Sequence, residues 1–233
     1  MKAQQLKNAI LQLAIQGKLV AQDPNDEPAS VLLERIQKEK VRLIAEGKIK
    51  KSKKTATASA FEPPFEIPES WVWVRLGDII LENIGGGTPS KSNPNFWNGS
   101  VPWASVKDLD KDNIYFSSTI DSISTEGLNN SSSNLIPKNN VIICTRMGLG
   151  KIAINKIDVA INQDLRAIIL PNDIEKLYLI YFFKTLNLQG QGLTVKGLPI
   201  EELNSTYFPL PPTAEQHRIV QKIEAVFAEI EKL

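Results

Sequence analysis

The sequence predicts an α+β protein: a mostly-β globular domain with a few helices, flanked by long helices that form an antiparallel coiled coil or helical bundle. Apolar residues recur at helical spacing near both ends of the chain. Short apolar runs separated by Gly, Asn, Ser and Pro fill the middle, which is typical of strands and loops. A segment rich in Lys, Ala, Ser and Pro separates the N-terminal helices from the β-rich part.

The composition predicts a soluble, cytoplasmic protein. Of the 233 residues, 42% are hydrophobic and 23% are charged, and the formal net charge is +1. No apolar run reaches the ~18 residues that a membrane span needs, and the N-terminus lacks the apolar core of a signal peptide. The single cysteine, Cys144, lies in the apolar run VIICT, which predicts a buried strand residue rather than a reactive thiol.

Residues 1–54 are predicted to form an N-terminal helical region. A first helix over 1–16 is indicated by apolar residues at spacings of three, four and three, with Gly17 as a plausible end. These apolar residues are Ala3, Leu6, Ile10 and Leu13. A second helix is predicted over 29–46, and Gly47 can end it.

A linker is predicted over 55–70, and the only basic block of the chain, KIKKSKK at 48–54, precedes it. The net charge is +6 over residues 1–54, −4 over 55–212 and −1 over 213–233. A basic block of this kind either contacts phosphate or is a solvated linker, and the linker is the favoured interpretation.

A β-rich globular domain is predicted over 71–210. It contains the runs VWVRL, VIICT, KIAIN, DVAIN and LRAIILP, each bounded by turn residues. One helix is predicted within it, near 173–187.

The C-terminal segment 211–233 is predicted to be a spacer helix with a heptad seam. Thr213 stands at an N-cap position, and Gln216, three residues later, completes a capping-box pattern. The seam residues follow at spacings of four, three, four and three and are Ile219, Ile223, Val226, Ile230 and Leu233. Such a stripe needs a partner: the N-terminal helix, another copy of the chain or a different subunit.

The motifs of common enzymes are incomplete, so the sequence predicts a protein without a catalytic or metal site. The string NPNF at 93–96 is similar to a loop of amino-methyltransferases, but the Gly-rich cofactor loop and the doubly wound sheet are not visible. With one histidine, His217, and one cysteine, a zinc site or a Cys-His pair is disfavoured.

Four polar, glycine-containing loops in the β-rich part predict a surface for an extended polar ligand such as DNA. Amide, hydroxyl and cationic side chains are the groups that read base edges and bind phosphates. The candidate contacts are Lys91, Ser92, Asn93 and Asn95 in the first loop, Arg146 and Lys151 in the second, Asn162 and Gln163 in the third, and Lys196 in the fourth. Asn162 and Gln163 either bond a base or brace the loops, and Trp97 and Trp103 either stack on bases or anchor the first loop.

The chain resembles the specificity subunits of type I restriction–modification enzymes. The resemblance rests on IPESWVWVRLGDI (67–79), GGTPS (86–90), WNGSVPW (97–103), TRMGLGKIAI (145–154), AINQDLRAI (160–168), LTVKGLPIEEL (193–203) and the segment 209–233. The N-terminal region is similar to a conserved region of that family.

The resemblance implies a target recognition domain over 71–210 that reads one half of a split sequence in double-stranded DNA. It also implies docking to modification subunits, which bind S-adenosylmethionine and methylate adenine, and to restriction subunits, which use ATP and Mg. The chain itself would be non-catalytic and would bind none of these cofactors.

This sequence departs from the common plan of that family because it has one recognition domain. Its first helix resembles a segment that usually follows the EQHRIVQKIE helix. Two copies could therefore pair as a homodimer and rebuild a two-domain subunit, with Leu6, Ile10 and Leu13 of the first helix and the 213–233 seam at the interface. A chain truncated before a second domain is the alternative. A stand-alone methyltransferase and a structural adaptor or decoy are further alternatives.

Overall fold

A computed structural model of the chain describes residues 3–50, 62–188 and 197–232. In chain order the elements are α1 (Ala3–Ile15), α2 (Ala29–Ala45), β1 (Val72–Arg75), α3 (Leu76–Ile79), β2 (Glu82–Gly85), β3 (Trp97–Ala104), β4 (Tyr115–Phe116), β5 (Asp121–Ile123), α4 (Thr125–Asn129), β6 (Asn134–Ile136), β7 (Val141–Cys144), β8 (Ile152–Asn155), β9 (Val159–Ile161), β10 (Leu165–Ile169), α5 (Lys176–Leu188), α6 (Ile200–Ser205), β11 (Tyr207–Leu210) and α7 (Thr213–Ile230). The predicted α+β class is confirmed.

The chain forms two compact units. The helical unit comprises the described residues of Met1–Leu81, Pro171–Gln191 and Ile200–Leu233, and the β-rich unit comprises those of Glu82–Leu170 and Gly192–Pro199. The β-rich unit is therefore narrower than the predicted range 71–210. The reason is that β1 pairs with β11 in a separate two-stranded sheet, and α5 packs against α1 and α7.

Two glycines end the N-terminal helices as predicted. Gly17 and Gly47 have φ of +68° and +69°, a region that favours glycine. The backbone N–H of the following residue, Lys18 or Lys48, returns to a carbonyl of the last turn at 2.9 Å. Local sequence therefore fixes both helix ends.

The terminal helices pair with each other inside the helical unit. Lys7 Nζ of α1 lies 2.9 Å from Glu231 Oε1, after the end of α7, while Gln22, after the end of α1, donates to Glu215 near the start of α7. The two helices therefore run antiparallel, as predicted. The exposed Lys7–Glu231 pair marks this alignment but contributes little to stability.

The predicted seam residues are divided between the core of the chain and its surface. Ile219, Ile223 and Ile230 are buried within the chain, since α7 packs on α1 and α5. The buried positions of α1 are Leu11, Ala14 and Ile15. The predicted positions Leu6 and Ile10 are half-buried, as is Val226 of α7, and Leu13 is 40% exposed. Leu233 lies outside the described residues.

The predicted capping box at the start of α7 is wrong. Pro212 occupies the N-cap position without a side-chain cap. Thr213 Oγ1 donates instead to the carbonyl of Asp173 at 3.2 Å, and the buried Gln216 donates to Pro211 O and accepts from the backbone N–H of Glu175. Thr213 and Gln216 therefore bond to the segment before α5 and not to the first turn of α7. The buried amide of Gln216 needs a partner for both its oxygen and its nitrogen, and this arrangement supplies them.

The β-rich unit contains a five-stranded sheet, in the order β2-β10-β7-β8-β4, and a four-stranded sheet, in the order β5-β3-β9-β6. Pairing is antiparallel except for β4 with β8 and β3 with β9. The strands β7, β8 and β9 are buried along their whole length, which explains why their sequences are continuous apolar runs. Cys144 is buried at the end of β7, as predicted.

Candidate nucleic-acid interface

The directions of three neighbouring strands bring three of the predicted loops to one edge of the five-stranded sheet. β10 is antiparallel to both of its neighbours, with Arg166 opposite Gly85 of β2 and Leu165 opposite Cys144 of β7. The ends of β2 and β7 therefore lie beside the start of β10. We call the segments 86–96, 145–151 and 162–164, which continue from these strand ends, the loop edge.

Close backbone packing joins the first loop to the end of β9. The backbone N–H of Gly87 donates to the carbonyl of Ile161 at 3.0 Å. A Cβ at Gly86 would lie 2.0 Å from the same carbonyl oxygen, so only glycine fits there. The glycines of this loop therefore serve packing within the protein.

The turn 162–164 is braced by its own side chains. Asn162 is buried, its Oδ1 accepts from the backbone N–H of Asp164 at 3.0 Å, and its Nδ2 donates to Asp164 Oδ2 at 3.3 Å. This is an Asx turn, which a short polar side chain forms with the backbone two residues later. Of the two roles considered for Asn162, the structure favours bracing.

Gln163 is exposed at the tip of this turn and connects it to the first loop. Its Oε1 accepts a hydrogen bond from Thr88 Oγ1. This bond leaves the Nε2 end of the amide available to a ligand. Gln163 therefore meets the basic requirement of a base-reading residue, namely an exposed polar group held by a neighbour.

The hairpin 145–151 presents Arg146 to solvent and fixes Lys151. The side chain of Arg146 is 63% exposed, and its Nε lies 3.6 Å from Asp164 Oδ1. Lys151 is half-buried and donates to the carbonyl of Val106 at 2.9 Å. Gly148, with φ of +80°, packs so closely on Val106 that a Cβ would lie 2.5 Å from its Cγ1.

The remaining candidates of the first loop are exposed, with one exception. Lys91, Ser92 and Asn95 are exposed. Asn93 is half-buried and accepts from the backbone N–H of Asn95 at 3.1 Å, which caps a short 3-10 turn. Its carboxamide therefore has a structural role.

The two tryptophans anchor the first loop. Trp103 is buried and donates to the carbonyl of Gly87 and to Ser133 Oγ, both at 3.1 Å. Trp97 donates to Ser90 O at 3.1 Å, and the two indole rings meet edge to face at 5.2 Å. These contacts support the anchoring role of both rings.

The predicted fourth contact, Lys196, lies outside the described residues. The segment that follows it does reach the loop edge, because the backbone N–H of Leu198 donates to the carbonyl of Thr145 at 2.6 Å.

An open groove of about 710 Å³ lies beside the hairpin and adds lysines to this surface. Its lining includes Lys107, Lys111 and Lys151, together with Asp108 and Asp110. The carboxylate of Asp108 has a structural role, since it accepts hydrogen bonds from the backbone N–H groups of Ser105 and Ile120.

The β-rich unit does not carry the acidic excess of the middle of the chain. The sequence range 55–212 carries −4, which would oppose DNA binding. Residues 82–170 of the unit carry eight Lys and Arg and eight Asp and Glu, a net charge of zero, and its second segment, 192–199, adds one lysine. The acidic excess therefore belongs to segments outside this unit.

The described residues contain no metal-binding cluster, and the one cysteine is buried. No group of three or more His, Cys, Asp or Glu side chains is placed to hold a metal within 3–50, 62–188 and 197–232. Burial raises the pKa of the Cys144 thiol to about 12, so the neutral thiol predominates near neutral pH. Over the same residues, no helix combines the length and the apolar character needed to cross a bilayer.

Sequence reasoning overlooked Thr88 and Asp164, which position Gln163 and Arg146. The Asp two residues after Asn in INQDLRA was an available signal for an Asx turn. The pairing of Thr88 with Gln163 had no such signal, because it depends on strand register across the sheet.

Comparison with known proteins gives one consistent family. The sequence profile described as "Type I restriction modification DNA specificity domain" matches residues 68–232. The chain is 34% identical to the type I restriction enzyme EcoAI specificity subunit of Escherichia coli, over 98% of this chain and 40% of that protein. It is 49% identical to the EcoEI specificity subunit of the same species, over 45% of this chain and 18% of that protein.

Solved structures show the same fold. A chain from a structure on complex assembly and conformational transition of the type I R-M system superposes with a TM-score of 0.61 at 19% identity, covering 99% of this chain and 51% of that one. The HsdS subunit from Thermoanaerobacter tengcongensis superposes with a TM-score of 0.58 at 20% identity, covering 99% of this chain and 50% of that one.

The protein thus has a β-rich unit that carries the polar loop edge, and a helical unit whose segments alternate with it along the chain. The chain belongs to the type I restriction–modification DNA specificity family. The chain spans about 40% of the length of the EcoAI specificity subunit and about half the length of each of the two solved chains.

Proposed function

We propose that this chain is a sequence-specific DNA recognition subunit of a type I restriction–modification complex and reads one half of a split target. The observation that carries the proposal is the convergence of three polar loops at one edge of the five-stranded sheet. Arg146 and Gln163 are exposed there on backbone segments held by close packing. Rigid placement of a few donors is what base reading requires.

The lysines near the loop edge support this proposal through phosphate contacts. Lys91, Lys107 and Lys111 are exposed on the same unit. Because the unit has a net charge of only +1, its non-specific attraction to DNA is weak and specific contacts acquire more weight. The +6 charge of residues 1–54 supplies a further attraction to the backbone.

The chain is proposed to act without catalysing a reaction itself. Methyl transfer from S-adenosylmethionine and steps that use ATP and Mg are assigned to modification and restriction subunits. One observation supports this division: the side chain of Asn93 in the NPNF string accepts from the backbone N–H of Asn95 and so caps its own turn.

The surface of the paired terminal helices is proposed to dock a modification subunit or a second copy of this chain. Leu6, Ile10 and Leu13 of α1 and Val226 of α7 retain exposed apolar surface, whereas the seam isoleucines Ile219, Ile223 and Ile230 are buried. Docking on these helices would bury the remaining apolar area without unpacking α7 from α1.

Selection from a random DNA library tests the function. The full chain, assembled with its modification subunit, is incubated with the library, and bound DNA is sequenced after several rounds at fixed salt. We expect enrichment of a split sequence and its preferential methylation. Methylation of random DNA as readily as of the enriched site would overturn the proposal. Saturable binding of S-adenosylmethionine to the isolated chain in calorimetry would favour a stand-alone methyltransferase.

A further inference from the structure

Arg146 and Asp164 form an ion pair whose members differ in exposure. The side chain of Arg146 is 63% exposed and that of Asp164 is 14% exposed, with 3.6 Å between Nε and Oδ1. A pair with one exposed member contributes little to stability. At 3.6 Å the two side chains share no hydrogen bond, so charge attraction alone draws the Nε edge of the guanidinium toward Asp164.

Asp164 is fixed relative to Arg146 by three bonds within the turn and the hairpin. Its backbone N–H and its Oδ2 are both held by Asn162. Its carbonyl accepts from the backbone N–H of Thr145, the residue directly before Arg146, at 2.9 Å. The carboxylate and the backbone that carries the arginine are therefore positioned together.

The contact uses the Nε side of the guanidinium. The two terminal nitrogens, Nη1 and Nη2, form no hydrogen bond or ion pair with the described residues. These nitrogens form a planar fork of donors that matches the O6 and N7 acceptors of guanine in the major groove. A fork of this kind also matches a phosphate. The charge of the nearby Asp164 carboxylate distinguishes the two possible ligands, a base edge and a phosphate.

The carboxylate at 3.6 Å favours the base edge. Asp164 offsets part of the positive charge of Arg146, which weakens its attraction to the −1 charge of a phosphate. The directional donors remain, and the acceptors of a base edge are neutral. Arg146 thus has a carboxylate beside its Nε edge, whereas the exposed Lys91 and Lys107 have the character of phosphate ligands.

We propose that Arg146 reads one guanine of the target through its terminal nitrogens, and that Asp164 is the residue that positions it. This inference rests on the proposed DNA-recognition function. It names the base and the atoms that one residue of the loop edge recognises.

The test compares four variants of the full chain in its complex with the modification subunit. Arg146→Lys keeps the charge but loses the fork, Arg146→Gln loses both, and Asp164→Asn keeps the size but loses the charge. Lys138→Gln is the matched control. Lys138 is an exposed cation that precedes β7, at the opposite end of that strand from Arg146. Equilibrium binding is measured on the library-selected site and on single-base changes, with each guanine also replaced by 7-deazaguanine.

We expect wild type to lose about 5- to 150-fold in affinity when one particular guanine is changed, the range that corresponds to 1–3 kcal/mol for a bidentate base contact. Arg146→Lys reduces that discrimination, because an ammonium group lacks the planar pair of donors, and Arg146→Gln removes it. Both variants leave the other positions unchanged. Asp164→Asn reduces the discrimination partially, and Lys138→Gln retains it in full.

Two results would overturn the inference while leaving the function intact. The first is that Arg146→Lys alters no position selectively, and that Arg146→Gln weakens binding to every sequence equally while reducing the salt slope by about one, as expected for a phosphate contact. The second is that Asp164→Asn discriminates as wild type does, which removes its positioning role. Failure of the wild-type complex to select any sequence would instead overturn the proposed function.

Discussion

Replacing Ile223 with Ala tests the assignment of the α7 stripe to the core of this chain. Ile223 has no exposed surface and lies on the helix that packs against α1 and α5. The change removes three carbon atoms, or about 2.4 kcal/mol at ~0.8 kcal/mol for each buried carbon. A residual cavity adds to this loss, so we expect the free energy of unfolding to fall by about 2–5 kcal/mol.

The matched control is Val226→Ala, three residues later on the same predicted stripe. Val226 is half-buried and loses only two carbons, so we expect a loss below about 1 kcal/mol. Both variants retain a good helix former in α7, so helix propensity contributes only tenths of a kcal/mol in either case.

Urea unfolding followed by far-ultraviolet circular dichroism measures both changes, because the helical signal reports on α7 and its neighbours. The titration is run at several protein concentrations, since stabilisation by a partner copy makes the midpoint depend on concentration. If Ile223→Ala costs no more than Val226→Ala, or if its cost appears only at concentrations where the chain associates, the assignment to the core of one chain is refuted.

Two further outcomes follow from buried titratable groups. Burial raises the pKa of Glu215 above its ordinary value of 4.5, because the buried site favours the protonated carboxyl. The stability that this preference gives to the folded state is fully present below pH 4.5 and is lost as the pH rises through the folded-state pKa. Glu215→Gln cannot ionise at this position, so the difference in unfolding free energy, variant minus wild type, is expected to increase as the pH rises from 4.5 through the folded-state pKa. A difference that stays constant or falls with pH would show that burial does not raise the pKa of Glu215. Cys144, the only cysteine, is buried with a pKa raised to about 12. It is expected to react with a thiol reagent only as fast as the protein opens, and rapid labelling of the native protein, compared with labelling in urea, would show an accessible thiolate.

The sequence alone predicted the elements whose signals are local. The helices that start the chain end at Gly17 and Gly47, where only a residue tolerant of positive φ continues the backbone easily. Continuous apolar runs predicted the buried strands, including the one that contains Cys144. The family motifs were also readable, because they are strings of residues that need no partner elsewhere in the chain.

The tertiary structure decided which side of each element is used and which loops meet. The apolar stripe of α7 is visible in the sequence, but its spacing does not specify a partner, and the fold supplies one from α1 and α5 of the same chain. Likewise, Thr88, Gln163, Arg146 and Asp164 come together only because β10 pairs antiparallel with both β2 and β7. Spacing along the chain encodes local geometry, whereas contacts between distant segments depend on the register of the sheet and on competition for buried hydrogen-bond partners.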